Sequence, residues 1–394
     1  MSSERVVQRA PCSRRSDPER QTPLPPRQLH DHQSPAKLPA MIEKRKVIIG
    51  TTAVAFAIGA FAIYTMSKAG AFRDIDPHLP GECRKVEDIV GGEDLQWHPD
   101  GEHVYVAAQD RRALGSPGHI YRLRPADPKA VPVDITPELD IPFHPHGLHL
   151  YVGEDGLERL FVVNHHNGMT APHSIEVFDV TDDGSLEHVE SITSEALVSP
   201  NDVVAVGPDQ FYVTNDHGSS ELWMHTIEDF LQLARGNVVF YDGEDFREVY
   251  GGTQYANGIN VSPDGTELYL AETIAKTIKI FKRDPATNDL ERKHTVETNM
   301  GVDNIGVTPA NTLWVAGHPN LLAFLSHAGD PESRSPSEVI RLERAGPENW
   351  NVEEIYLDDG DPISGAAVGT ARDDTLVIGP VFDPHLVVCE MGGE

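Results

Sequence analysis

The stretch "HGLHLYVGEDGLERLFVVNH" (146–165) decides the fold. It opens on polar residues, runs through a short apolar strand, turns at "GED", and closes on a second apolar strand that ends in histidine. Such turns favour Gly, Asp and Asn, which tolerate the backbone a tight hairpin needs. The pattern recurs as "EDLQWHPDGEHVYVAAQ" from 93, "NDVVAVGPDQFYVTND" from 201, "NGINVSPDGTELYLAET" from 257, "DNIGVTPANTLWVAGH" from 303 and "SGAAVGTARDDTLVIGP" from 364. The six starts lie 53, 55, 56, 46 and 61 residues apart. Further strand-like runs, such as "SIEVFDV" (174–180) and "TIKIFKR" (277–283), fill the gaps. Four strands per unit of ~50 residues is the arithmetic of a β-propeller, so the chain is predicted to be all-β with six blades.

In a propeller the innermost strands run alongside a central channel, and residues at one phase of the repeat converge there. The opening residues are Glu93-Asp94, His146-Gly147, Asn201-Asp202, Asn257-Gly258, Asp303-Asn304 and Ser364-Gly365. Five of the six units thus begin with oxygen or nitrogen donors. Hard oxygen ligands suit Ca²⁺, which takes about six to eight of them; zinc would want a tighter group of His and Cys. His146 is the second unit's member of this ring. His165 closes the same hairpin, and a two-strand hairpin brings its ends together, so both histidines can serve one site.

Charge divides the 394-residue chain, whose net charge is −30. Residues 1–46 carry ten Lys/Arg against five Asp/Glu, and the rest 22 against 57. An acidic body argues against nucleic acid, whose phosphates it would repel. The first forty residues, rich in Pro, Ser, Gln and Arg with no apolar period, read as disordered. From Val47 to Met66 there are twenty residues without a charge, about the length that crosses a ~30 Å hydrocarbon core. That is longer than the ~7–15 residues of a signal-peptide core. The "KRK" at 44–46 keeps the N-terminal side in the cytosol, and would do so if Met41 were the start. The predicted organisation is a basic cytosolic tail (1–46), a single-pass signal-anchor helix (47–66), a linker (67–82) and a propeller (83–394) in the lumen of the secretory pathway or outside the cell. Cys12 falls in the tail. In an oxidising compartment Cys83 and Cys389 can pair.

The repeats also resemble the paraoxonase/arylesterase lactonases. The matching runs are "GGEDL" (91–95), "PHG" (145–147), "VVNH" (162–165), "NDVVAVGP" (201–208), "TNDH" (214–217), "ANGINVSPDG" (256–265), "VDNIGV" (302–307), "HPN" (318–320) and "VVCE" (387–390), in family order. The resemblance implies a six-bladed propeller with two calcium ions in its tunnel. Glu93, Asn201, Asn257, Asp303 and Asn304 would hold the catalytic ion. Asp94, Asp202 and the backbone carbonyl of Leu148 would hold the structural one. It also implies a histidine dyad at His146 and His165 and a closing Cys83–Cys389 disulfide. Mammalian members have Cys where this chain has Gly317, which bears on pocket shape.

The chemistry follows from charge. Two carboxylates and three amide oxygens roughly cancel a divalent ion and leave it electrophilic toward an ester, lactone or phosphoryl oxygen. A neutral histidine suits removal of a proton from water; that role falls on His146, with His165 orienting it. Asp303 is the alternative base or nucleophile. His144, His149, His166 and His217 read as solvated or structural, while His318 and Tyr255 are candidates for the pocket wall. In "SSELWMHTIEDFLQLARG" (219–236), Trp223, Ile227, Phe230, Leu231 and Ala234 recur at helical spacing, as a helix packed on the propeller or a lid that touches membrane. The predicted activity is calcium-dependent hydrolysis of small lactones and aryl esters, with phosphotriesters as a side substrate. The rivals are a gluconolactonase-type sugar-lactone hydrolase and a non-catalytic membrane chaperone. The oligomeric state is left open.

Overall fold

The computed structural model describes residues 37–394 apart from 114, 347, 348, 393 and 394, with side chains from residue 41 onward except at 169. The predicted disordered tail lies, for residues 1–36, outside the described residues. The chain divides into two compact units, 1–59 and 60–394. Helix α1 (Lys37–Lys68) is longer than its uncharged run. From Met41 to Lys68 it is long and apolar enough to cross a membrane.

The second unit is an all-β six-bladed propeller. Its innermost strands are Gly92–Trp97, Pro145–Val152, Pro200–Gly207, Ala256–Val261, Gly301–Val307 and Ala366–Arg372. Successive ones touch, and the sixth returns to the first, which closes the ring. Five sheets have four antiparallel strands and the second has three. The difference comes from Glu158–Val180, one continuous element whose first part pairs with the innermost strand and whose last part pairs with the outer strand. It fills two strand positions. The sixth sheet is completed from the other end of the unit, where Gly81–Glu87 pairs with His385–Met391. Cys83 sits opposite Cys389 in that pair and is disulfide-bonded to it across 306 residues.

Strand alternation packs each blade on the next. Leu95, Val104 and Val106 of the first blade bury themselves against Val377, Leu386 and Val388 of the sixth. Burial of such side chains is worth roughly 1.5–3 kcal/mol each. The predicted linker is itself tied down along the fifth blade. Arg73 donates to Glu338 at 2.5 Å and to Glu354 at 2.6 Å. His78 and Leu357 exchange backbone hydrogen bonds of 2.8 and 3.0 Å.

The segment expected to be helical over 219–236 holds a shorter helix, α2 (Leu222–Phe230). Its chain turns at Gln232, in the left-handed region with φ 54°, to enter the Gly236–Tyr241 strand, so Leu231 and Ala234 lie beyond it. The apolar stripe does not pack inward. Trp223 is 63 % exposed and Phe230 50 %, while the helix's buried residues are His225 and Glu228. His225 stacks on His217 with ring centroids 3.8 Å apart. Polar partners on the propeller hold the helix, and hydrophobic burial does not.

Candidate active site

A cavity of about 1490 Å³ opens onto the channel, lined by Glu93, His146, His165, Asn201, Asn257 and Asp303 together with Tyr255 and His318. The remaining predicted ligands, Asn304, Asp94, Asp202 and Leu148, are buried and do not line it. Tyr255 adopts φ 66°, an outlier for a bulky residue, immediately before the strand that presents Asn257.

In four of the six hairpins the opening residue is gripped by the residue that closes it. Nδ2 of Asn257 donates to Oγ1 of Thr273 at 3.0 Å. Nδ2 of Asn201 reaches Oδ2 of Asp216 at 3.4 Å. His318 Nε2 lies 3.0 Å from Asp303 Oδ2, and His146 Nδ1 lies 2.9 Å from His165 Nε2. Asn304 is held similarly across the ring, its Nδ2 donating at 3.0 Å to the Oε1 and main-chain oxygens of Glu93. Each amide is thereby turned so that its oxygen is spare. Glu93 Oε2, Asn201 Oδ1, Asn257 Oδ1 and Asn304 Oδ1 are buried with no hydrogen-bond partner among the described residues. A buried acceptor without a partner costs about 1–3 kcal/mol, and four such oxygens around one channel fit a hard cation. Only two of the five ring residues are acidic, and no cluster of three His, Cys, Asp or Glu side chains forms a metal site among the described residues. The donors are mostly amide oxygens.

Asp94 and Asp202 do different work. Oδ2 of Asp94 accepts from Leu148 N at 2.7 Å, joining blades one and two. Oδ2 of Asp202 accepts from Ile259 N at 2.7 Å, joining blades three and four. Blades two and four carry glycine at this phase because nothing larger fits. A Cβ on Gly147 would lie 2.3 Å from Asp202 Oδ1, and one on Gly258 would lie 2.6 Å from the Asp303 carbonyl oxygen. Burial, and then the charge of Glu93, push the Asp94 carboxyl up to about 8. Burial and the charge of Asp94 push Asp202 well above the carboxylate range. A cation beside them would relieve that repulsion.

Around the histidine pair, Asn164 fixes the hairpin by accepting from His144 N at 2.8 Å and donating to Glu176 at 3.0 Å. His146 Nε2 faces Glu93 Oε1 at 3.4 Å. Burial resists ionisation of Glu93, but His146, Arg111 and Asn304 together hold its carboxyl below the usual range. Burial, followed by the neighbouring His146 and His173, holds His165 well below the ordinary histidine value.

The four histidines read as solvated or structural are held by protein partners, with His149 and His166 still partly exposed. His144 Nδ1 meets the His165 carbonyl oxygen at 2.6 Å, and His166 meets Ser174 at 2.7 Å. His149 is half-buried in the blade, where loss of solvent pushes it down to about 4. His217 is clamped between Asp216 at 2.7 Å and Asp229 of α2 at 2.9 Å. Gly317 leaves no room for a side chain without movement, since a Cβ would lie 2.3 Å from the Gly301 carbonyl oxygen.

Sequence reasoning took the hairpin openings as the ring but read only His165 and His318 among the closings. Asp216 and Thr273 were missed, although each ends its repeat as His165 does. Arg111 was also missed; its guanidinium donates to the carbonyls of Gly91 at 3.0 Å and Pro145 at 3.2 Å, beside Glu93 and His146.

A six-bladed propeller with a ring of spare oxygens and a histidine pair on its channel is built as a hydrolase scaffold would be. The chain belongs to the arylesterase family, whose model matches residues 108–391. Serum paraoxonase/arylesterase 2 of Gallus gallus is 34 % identical over 339 residues, covering 82 % of this chain and 93 % of that protein. Serum paraoxonase/arylesterase 1 of Homo sapiens is 33 % identical over 359 residues, covering 87 % and 99 %. Among solved structures, a luciferin-regenerating enzyme superposes with a TM-score of 0.51 at 12 % identity, covering 79 % of this chain and 96 % of that one; the likeness is one of fold.

Proposed function

We propose that this protein is a calcium-dependent hydrolase of small lactones and aryl esters, held in the membrane by α1. The observation that carries the reading is the set of four unpartnered oxygens beside the His146–His165 pair. Glu93, Asn201, Asn257, Asp303 and Asn304 would hold one Ca²⁺; Asp94, Asp202 and the Leu148 carbonyl would hold a second, structural one. Bound at the ring, Ca²⁺ would polarise the ester or lactone oxygen and stabilise the oxyanion that develops. His146 takes the proton from the attacking water at Nε2, the ring nitrogen that faces Glu93. His165 holds the imidazole in place through Nδ1.

A second base is available in Asp303. Its carboxyl is raised by burial, against the pull of His318, and His318 stacks on Phe324 with centroids 3.8 Å apart. This pair is the candidate for attack on phosphotriesters. The fully charged "KRK" keeps the N-terminus in the cytosol, which puts the propeller and its disulfide in the lumen or outside. The exposed apolar face of α2 serves as a lid that touches membrane.

The test is hydrolysis by the purified full-length chain in detergent. Phenyl acetate, a set of aliphatic lactones and glucono-lactone are assayed with and without EGTA. Turnover of aliphatic lactones and phenyl acetate that stops on chelation is the expected result. Turnover of glucono-lactone alone would favour the sugar-lactone reading. Full activity in exhaustively chelated, calcium-free protein would overturn the proposal.

A further inference from the structure

The histidine pair continues into a third histidine. His165 Nδ1 lies 2.9 Å from His173 Nδ1, and the two rings meet edge to face with centroids 4.9 Å apart. His173 is 3 % exposed, and its Nε2 is buried with no hydrogen-bond partner among the described residues. We infer that His146, His165 and His173 form a proton relay in which His173 receives the charge created at His146. The inference rests on the proposal that His146 is the general base.

The geometry fixes where each proton sits. A base needs a free lone pair on His146 Nε2, so the ring's proton is on Nδ1 and is donated to His165 Nε2. His165 then carries its own proton on Nδ1 and donates it to His173 Nδ1. His173 must therefore be protonated on Nε2, the nitrogen without a partner. Each ring has one proton and the line of donors runs one way.

In the addition step the water oxygen bonds to the carbonyl carbon, and the carbonyl π pair moves to oxygen. The water proton goes to His146 Nε2. The Nδ1 proton of His146 passes to His165, and the Nδ1 proton of His165 passes to His173. The positive charge comes to rest on His173, two rings away from the reacting carbon. When the carbon–oxygen bond to the leaving group breaks with its electron pair, the same relay runs backward and protonates that oxygen. The new carboxylic acid gives its proton to solvent, so the enzyme returns to its starting state with one water consumed.

Two features suit His173 to a transient role. Burial pushes its imidazole down to about 4, while the charge of Asp216 pulls the other way. A ring so placed does not hold a proton at neutral pH, so charge that reaches it returns toward His146. Its partnerless Nε2–H stays in place throughout, while only the Nδ1 proton comes and goes. His173 touches neither the reacting atoms nor the ring of oxygens, so it is a relay residue whose removal should leave binding intact.

The test compares full-length wild type, His173→Gln, His173→Ala and His146→Gln with phenyl acetate. His173→Gln should lower kcat about 10–100-fold, with KM, calcium affinity and melting temperature unchanged. In mixtures of H₂O and D₂O the wild-type rate should curve with deuterium content, since several protons move, and the His173→Gln rate should be linear. Imidazole should restore part of the activity of His173→Ala and none of that of His146→Gln. Wild-type kcat in His173→Gln, or a linear isotope response in the wild type, would overturn the relay while leaving the dyad standing. Undiminished activity in His146→Gln would instead remove the dyad on which the relay is built.

Discussion

Asn257 donates its amide N–H to the Thr273 hydroxyl at 3.0 Å, and the Thr273 hydroxyl in turn donates to the Val302 carbonyl at 2.7 Å. A ring residue of the fourth blade is thus oriented by a chain of bonds that ends on the fifth. The spare oxygen of Asn257 owes its orientation to the Thr273 side chain, which itself lines the cavity.

Thr273→Val keeps the shape of the side chain and removes the hydroxyl. Outer partners of this kind are typically worth 10–100-fold in metal affinity. Calorimetric calcium binding to the variant should weaken by roughly that factor, with KM for phenyl acetate at saturating calcium little changed. Unaltered affinity would mean that Asn257 needs no support from Thr273.

The raised carboxyls of Asp94 and Asp202 give the calcium-free protein a pH signature. A carboxyl whose folded value lies above its unfolded value binds more protons when folded, so stability is lost as pH rises. For Asp94 the window runs from about 4, the ordinary carboxylate value, to about 8. The melting temperature of chelated protein should therefore fall between pH 5 and 8. Saturating calcium should flatten that slope and raise the whole curve, because a ligand that binds only the native state stabilises it by mass action. Equal slopes with and without calcium would place the ion elsewhere.

Which base acts can be decided by two substitutions. General-base catalysis contributes about 10²–10⁴-fold, so His146→Gln should cost that much in kcat with calcium still bound. His165→Gln should cost less, and His149→Gln, half-buried in the blade, should leave activity nearly unchanged. If His146→Gln stays active while Asp303→Asn is dead with calcium bound, the base is Asp303.

His217 clamps α2 as a charged group. Burial opposes its protonation, but Asp216 and Asp229 raise it to about 10. Its stabilisation is complete below the ordinary histidine value and is lost only as pH climbs through about 10. His217→Gln should free α2 at neutral pH, at about 3 kcal/mol for a broken buried pair. Hydrogen exchange should then accelerate across residues 219–231 and stay unchanged in the other blades. Uniform protection would mean that the stacking of His225 suffices.

The topology prediction is read from microsomes. Added protease should remove only the tail, and non-reducing peptide mapping should recover Cys83 joined to Cys389. The loop-entropy model assigns a cross-link of this span about 5–6 kcal/mol as an upper bound, so Cys83→Ser should melt well below wild type. A propeller digested from the cytosolic side would reverse the orientation.

The fold was legible because each hairpin carries its own turn chemistry, and the ring because one phase of a propeller repeat points to one axis. Pairing then puts the last residue of each hairpin beside its first. That rule would have found Asp216 and Thr273 had it been applied beyond His165 and His318. Arg111, on a turn, and His173, inside the long Glu158–Val180 strand, sit outside either phase, and no spacing announces them. The apolar spacing of α2 misled for a different reason. Periodicity reports that a helix has two faces, but which face is buried is decided by partners: His217, which stacks on His225, and Gly218, whose N–H donates to Glu228 at 3.0 Å.

The strand Gly81–Glu87 has as its partner a segment made 306 residues later. During synthesis it emerges early and must wait, its backbone unpaired, while five blades form downstream. Unpaired strand edges invite association with other chains, so this interval is when a newborn molecule is most exposed to a chaperone or to its own siblings. Oxidation of Cys83 before Cys389 emerges would trap the wait as a mixed disulfide, which makes the timing of thiol chemistry in the host compartment a determinant of yield.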